Sequence, residues 1–120
     1  MDGSRLQACA ADYALQLPQS EKSNPFGPEH DVYKVADKIF MMTTEVRGIK
    51  MVTVKGTPED NLLQCTVYDS VTPGYHMNKR HWISIAAGPQ ITPAVIEGFV
   101  ATSYHIVVQS LPKYKRPVLA

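Results

Sequence analysis

The sequence predicts an α+β domain in the order α-β-β-β-α-β-α, a small antiparallel β-sheet with the N- and C-terminal helices packed on one face. Three observations lead there. Apolar residues recur at helical spacing near both ends of the chain. Short β-favouring runs separated by turn formers occupy the middle. A length of 120 residues suits one core, so residues 1–120 are read as a single domain. Helices on one face of such a sheet would leave its other face open to solvent or a ligand.

The first helix is marked by Leu6, Cys9, Ala10, Tyr13, Ala14 and Leu17, with Ser4 and Gln7 spaced as a capping box and Pro18 as its stop. Residues 18–31 hold three prolines and a glycine and predict a loop without regular structure. Phe26 is its one large apolar group and is expected to plug an edge of the core as a structural anchor. Residues 32–35 and 39–44 read as strands joined by a tight hairpin through Ala36, Asp37 and Lys38, and Gly48 begins a third run. Thr57 and Pro58 then read as N-cap and first helical position, with Glu59 and Asp60 at the positive end of the helix dipole. Leu62, Leu63 and Cys65 of this helix are expected to lie against the sheet. Residues 82–85 read as a strand closed by Gly88 and Pro89.

Thr92 and Pro93 repeat the cap signal. They open the clearest helix, with Ile96, Phe99, Val100, Ser103, Tyr104, Val107, Val108 and Leu111 at spacings of three and four, and Pro112 ends it. Residues 113–120 are expected to form a flexible basic tail.

Composition excludes several classes. No apolar run approaches the roughly 18 residues of a membrane span, and the amino terminus lacks a basic segment followed by an apolar block, so a cytoplasmic protein without membrane contact is expected. Cys9 and Cys65 stand far apart in unrelated contexts, which suggests neither a disulfide framework nor a zinc motif, and both are read as small apolar core residues. Net charge is only +1, but its distribution is uneven: residues 1–69 carry seven basic and ten acidic side chains, residues 70–120 five basic and one acidic. A one-sided positive field of this kind draws in polyanions.

The stretch of residues 73–85, PGYHMNKRHWISI, concentrates the chemistry. Behind the Pro73 and Gly74 turn it sets Tyr75, His76, Asn78, Lys79, Arg80, His81 and Trp82. Cations for phosphates, amides for base edges and rings for stacking make a nucleic-acid-binding set, to which Lys34 and Lys50 add if they share its face. Trp82, flanked by Ile83, is expected to point inward as an anchor. A structural alternative stands beside it, with Tyr75 and Trp82 as core anchors and the charges between them as a solvated loop.

The blocks PGYHMNKRHW, DYALQLP, NPFGP, VYKVADKIF and SYHIVVQSLPKYKR together resemble the MmcQ/YjbR family of small bacterial proteins over nearly the whole chain. The resemblance implies a CyaY-like, frataxin-like fold and a DNA-binding protein with a double-wing motif. The family signature falls on His76, Asn78, Lys79, His81 and Trp82, with Tyr75 and Arg80 at more variable places. Ala36 and Asp37 stand where a glycine pair often forms the hairpin.

Three functions compete for the block. A non-enzymatic DNA-binding role uses the cations as above. A protein-interaction or small-anionic-ligand module would use the pocket between the NPFGP loop and the block. Catalysis by His76 and His81 is disfavoured because no carboxylate lies between Asp69 and Glu97 to orient an imidazole. No cofactor and no metal are expected. Two histidines without a local third ligand do not make a metal centre, and iron handling on a frataxin-like fold needs clustered acids where the first helix offers Asp12 alone.

Overall fold

The computed structural model describes residues 1–74 and 78–118. Among them, α1 (Gly3–Gln16) leads into β1 (Ser20–Ser23), β2 (Asp31–Val35), β3 (Lys38–Val46) and β4 (Ile49–Lys55), then α2 (Pro58–Val67), β5 (Val71–Pro73), β6 (Trp82–Ala86) and α3 (Pro93–Ser110). The strands form one antiparallel sheet in the order β1-β2-β3-β4-β6-β5. The α+β class and the helices at both ends are as expected, but the sheet has six strands where four are legible. The additional ones are β1, a polar edge strand inside the proline-rich stretch, and the three-residue β5.

Both β2–β3 and β3–β4 close through two-residue turns. Ala36 and Asp37 stand at φ +48° and +65°, Arg47 and Gly48 at +54° and +79°, the left-handed pairs whose twist matches the flanking strands. The departure from a glycine pair therefore leaves the first hairpin tight. A bulge near Tyr33 and Lys34 pairs Lys34 with Ile39 and Tyr33 with Met41. Between those pairs Phe40 enters the core, its ring edge-on to Tyr104 at 5.3 Å.

α1 and α3 pack against the sheet. Leu6, Ala10 and Ala14 from α1 and Ile96, Val100, Tyr104, Val107 and Val108 from α3 join Tyr33, Met41, Val52, Val54, Ile83 and Ile85 in one core. Polar tethers set the docking. Gln7 donates to the carbonyls of Thr44 and Met51 at 2.8 and 3.0 Å. Ser103 donates to the Phe40 carbonyl at 2.5 Å and accepts from the Lys55 amide at 2.8 Å. Gln7 is thus a strand clamp rather than half of a capping box. Asp2, two residues before Ser4, is the N-cap: its backbone is extended and its carboxylate accepts from the Arg5 amide at 2.8 Å.

Three further expectations are corrected. The face away from α1 and α3 is not open: Val32, Met42, Thr53 and Ser84 form a buried transverse row, and the loop before β2 folds toward it through His30, whose Nδ1 lies 2.9 Å from Thr44 Oγ1. Phe26 is no anchor; it is 62% exposed, since its loop is held by Asn24 and His30 instead. The carboxyl segment is tied back as far as Arg116, which donates to the carbonyls of Leu111 and Gln109 at 2.9 and 3.0 Å beside a 3₁₀ turn at Lys113–Lys115. Among the described residues no helix is long and apolar enough to cross a membrane.

Candidate nucleic-acid interface

The register decides which cations meet. Lys55 ends β4 opposite Trp82, which starts β6, and the β2–β3 turn closes at the same end of the sheet. Lys34, Lys55 and the turn carrying Lys79 and Arg80 therefore belong to one end. Lys34 and Lys55 lie two strands apart, roughly 10 Å. Lys50 does not belong with them. It stands five residues back along β4, roughly 17 Å away, on the face covered by α1, where its ammonium donates to Ser4 Oγ at 2.7 Å. Lys50 is thus removed from the expected set and Lys55 enters it. Their odd spacing within one strand already puts the two on opposite faces; which end of the sheet each occupies is settled by the pairing partners.

The Lys79 and Arg80 turn is fixed on three sides. Within it, Asn78 Oδ1 accepts from the Arg80 amide at 2.9 Å, and the Asn78 carbonyl accepts from the amides of His81 and Trp82 at 3.2 and 3.0 Å. From β4, the Gly56 amide donates to the His81 carbonyl at 2.9 Å. From α2, the buried Asn61 donates through Nδ2 to the carbonyls of Arg80 at 3.0 Å and Gly56 at 3.3 Å. Gly56 is required here, since a Cβ would collide with Asn61 Oδ1. Asn78 consequently spends its carboxamide oxygen on shaping the turn. Asn61, absent from the expected site, is what ties the turn to a helix.

Lys79 and Arg80 are exposed at the tip, and among the described residues the ion pair seen is Lys22 with Asp31 at 3.5 Å, elsewhere on the sheet. His81 is half-buried and contributes main-chain groups to the turn. Tyr75 and His76 lie outside the described residues. Trp82 is buried as expected, at 9% exposure, but on the face opposite α1 and α3; Lys55 Nζ stands 5.8 Å from its ring centroid, within cation–π range. Gly74 closes the turn by donating to the Trp82 carbonyl at 2.8 Å, where a Cβ would sit 2.7 Å from that of Trp82.

α2 corrects another expectation. Leu62 and Leu63 do not face the sheet but are 74% and 56% exposed, because the two carbonyls held by Asn61 fix the helix's rotation. Between α2 and the cationic turn lies a groove of about 270 Å³ lined by Leu62, Cys65, Pro73, Lys79 and Arg80, with Glu59 at its edge. Burial pushes the Cys65 thiol pKa up, and that of Cys9 as well, where Glu97 adds to the effect. Among the described residues no group of three or more His, Cys, Asp or Glu side chains could hold a metal ion.

Comparison with known proteins agrees with the fold. The YjbR family profile matches residues 15–106. The Escherichia coli O157:H7 protein YbdF is 43% identical over 113 residues, covering 94% of this chain and 93% of its own length. YjbR of Escherichia coli strain K12 is 31% identical over 107 residues, covering 89% and 91%. Among solved structures, a Deinococcus radiodurans protein with a DUF419 domain superposes with a TM-score of 0.76 at 24% identity, over 87% of this chain and 80% of that one. A Pseudomonas syringae protein gives 0.69 at 21% identity, over 85% and 97%.

Proposed function

Since the chain belongs to the YjbR family, we propose that it is a small non-enzymatic protein that holds the phosphate backbone of DNA against the sheet end bearing Lys34, Lys55, Lys79 and Arg80. The observation that supports this reading best is the turn fixed by Asn78, Gly56 and Asn61, with two adjacent cations exposed on it. Cations whose backbone is already ordered lose less freedom on meeting phosphate oxygens than those on a loose loop. In this reading the β2–β3 and β5–β6 turns act as two wings at one end of the sheet. Four phosphate contacts on duplex DNA correspond to a logarithmic salt slope of about −3.6. Glu21, opposite Lys34, and Glu59, beside the turn, weaken the local field, so binding is expected to be modest and salt-sensitive.

The test is fluorescence anisotropy against duplex and single-stranded DNA at several salt concentrations. Lys79→Ala with Arg80→Ala should weaken binding and reduce the slope by about two, while Lys50→Ala changes neither. Unaltered affinity and slope in the double variant would remove the site.

A second reading, an acidic and apolar peptide or small anion held by the same cations, is favoured by one observation: the groove where Lys79 and Arg80 meet the exposed Leu62. Leu62→Ser should then weaken binding of such a peptide and leave DNA affinity unchanged.

A further inference from the structure

On the other side of α2, away from the cationic turn, the helix faces α3 across a groove of about 360 Å³ instead of packing against it. From one wall, Asp60 and Gln64 project at a spacing of four, and Tyr68 continues the same face just past the helix end. From α3 come Val95, Gly98, Phe99 and Thr102. Ile83 of the sheet forms part of the floor. Tyr68 and Phe99 meet edge to face at 5.8 Å, joining the two walls.

Gly98 is the informative residue. It stands in the interior of α3, where glycine is the poorest helix former after proline, yet no positive φ requires it and a Cβ there would meet nothing within 4 Å. Neither backbone conformation nor crowding accounts for it, and its effect on the molecule is to lower the groove's wall and let a bound group approach the helix backbone. The ionised side chains bordering the groove are Lys55 and Asp60. The ammonium of Lys55 is drawn to the Trp82 ring on the other face of the sheet, whereas Asp60 has no ion pair among the described residues. Gln64, one turn along, adds an amide donor and acceptor.

We infer that the α2–α3 groove binds a small organic cation, an amine with a planar apolar body lying along Gly98, Phe99 and Val95 and its ammonium at Asp60. The volume falls within the range of small-ligand sites, and the carboxylate selects the sign of the charge. Lys55 borders both this groove and the proposed DNA interface, but the groups assigned to the amine, Asp60, Val95, Gly98 and Phe99, take no part in that interface, so the site stands whether or not that interface binds DNA.

The experiment is an amide NMR titration of the whole protein with phenethylamine, with 3-phenylpropionate as the probe of opposite charge. Saturable shifts at Gln64, Gly98 and Thr102 with the amine are expected, with the carboxylate binding more weakly. Asp60→Asn should weaken the amine by roughly threefold, the scale of a solvent-accessible ion pair. Gly98→Leu, whose side chain extends into open space, should abolish the shifts while circular dichroism stays native, and Gly98→Ala should reduce affinity less. Absence of saturable shifts, equal binding of the two probes, or shifts that persist in a folded Gly98→Leu protein would each overturn the inference.

Discussion

α2 and α3 open identically and then diverge. Each starts with a threonine whose Oγ1 accepts the amide three residues on, at 3.2 Å in both, followed by a proline in the first turn. Yet α3 buries Ile96, Val100, Ser103, Tyr104, Val107 and Val108, while the buried residue of α2 is an asparagine. The cap sets where a helix begins; what the helix is for depends on the stripe it carries. α3 holds the sheet together through apolar area, the dominant stabilising term. α2 meets the sheet at its edge strand β5, with Cys65 half-buried against the core, and acts as a strut that holds the cationic turn through the Asn61 amide. Stability should therefore concentrate on the α3 face, and the geometry of the cationic end on α2.

The largest expected effect tests that division. Tyr104 is fully buried, edge-on to Phe40, with its hydroxyl donating to the Pro18 carbonyl at 2.6 Å. Tyr104→Ala should cost about 3–5 kcal/mol in denaturant unfolding, as buried aromatic truncations do. Leu62→Ala on α2 should stay within about 0.5 kcal/mol, as exposed substitutions do. Comparable losses would erase the contrast between the helices.

Next in size is a pH effect on the same core. Tyr33 is buried at 1% exposure, and its phenol is pushed up to about 12 by desolvation first and then by Asp31 and Asp12. In the unfolded chain it ionises near 10, so between pH 10 and 12 the unfolded state loses the proton that the folded state keeps. Stability is then fully present below pH 10 and falls by about 2–3 kcal/mol toward pH 12. Tyr33→Phe should flatten that part of the stability profile, and an unchanged decline would assign it to other groups.

Asn61→Leu tests the strut. It keeps the size of the side chain but leaves the carbonyls of Gly56 and Arg80 without their donor, which should cost about 1–3 kcal/mol. The amide resonances of Lys79, Arg80 and His81 should shift with it, whereas those of the α1–α3 core should not. Shifts confined to α2 would show that the turn holds its shape unaided.

Much of this was legible in the sequence, and the failures have physical causes. The α3 stripe, the turn at Ala36 and Asp37, and the burial of Trp82 follow from local pattern, because each is dictated by residues within a few positions. β1 was illegible since Ser20–Ser23 is a polar edge strand whose identity comes from its partner β2. The rotation of α2 was illegible because adjacent Leu62 and Leu63 suggest an apolar face, while the deciding groups are two carbonyls distant in sequence or outside the helix. At the proposed interface, the exposure of Lys79 and Arg80 on a turn was legible from the motif. Strand alternation separates Lys50 from Lys55 by face, but placing Lys55 at the end shared with the turn required the register, and Asn61 gave no sequence signal beyond being an amide near a helix start.

Two smaller effects sharpen the comparison at the level of single glycines and their absence. Gly98→Ala should stabilise α3 by up to about 1 kcal/mol, because the Cβ meets nothing and helix propensity rises. Ala36→Gly should have the same sign for a different reason. At φ +48° Ala36 pays the left-handed penalty of about 1–2 kcal/mol, which glycine avoids. Against that gain stands the greater freedom of glycine in the unfolded chain, about 0.4–1 kcal/mol. The difference should leave a stabilisation of about 0.5 kcal/mol, a rise of roughly 2 °C in Tm for a domain of this size. Ala36→Val, β-branched in the same conformation, should lower Tm by more than that. Since this turn shares the sheet end with Lys55 and Lys79, Ala36→Gly also separates the two roles of a hairpin. If it raises Tm and leaves DNA affinity unaltered, the turn serves the fold alone; if affinity falls as the tip gains freedom, the tip's rigidity belongs to the interface.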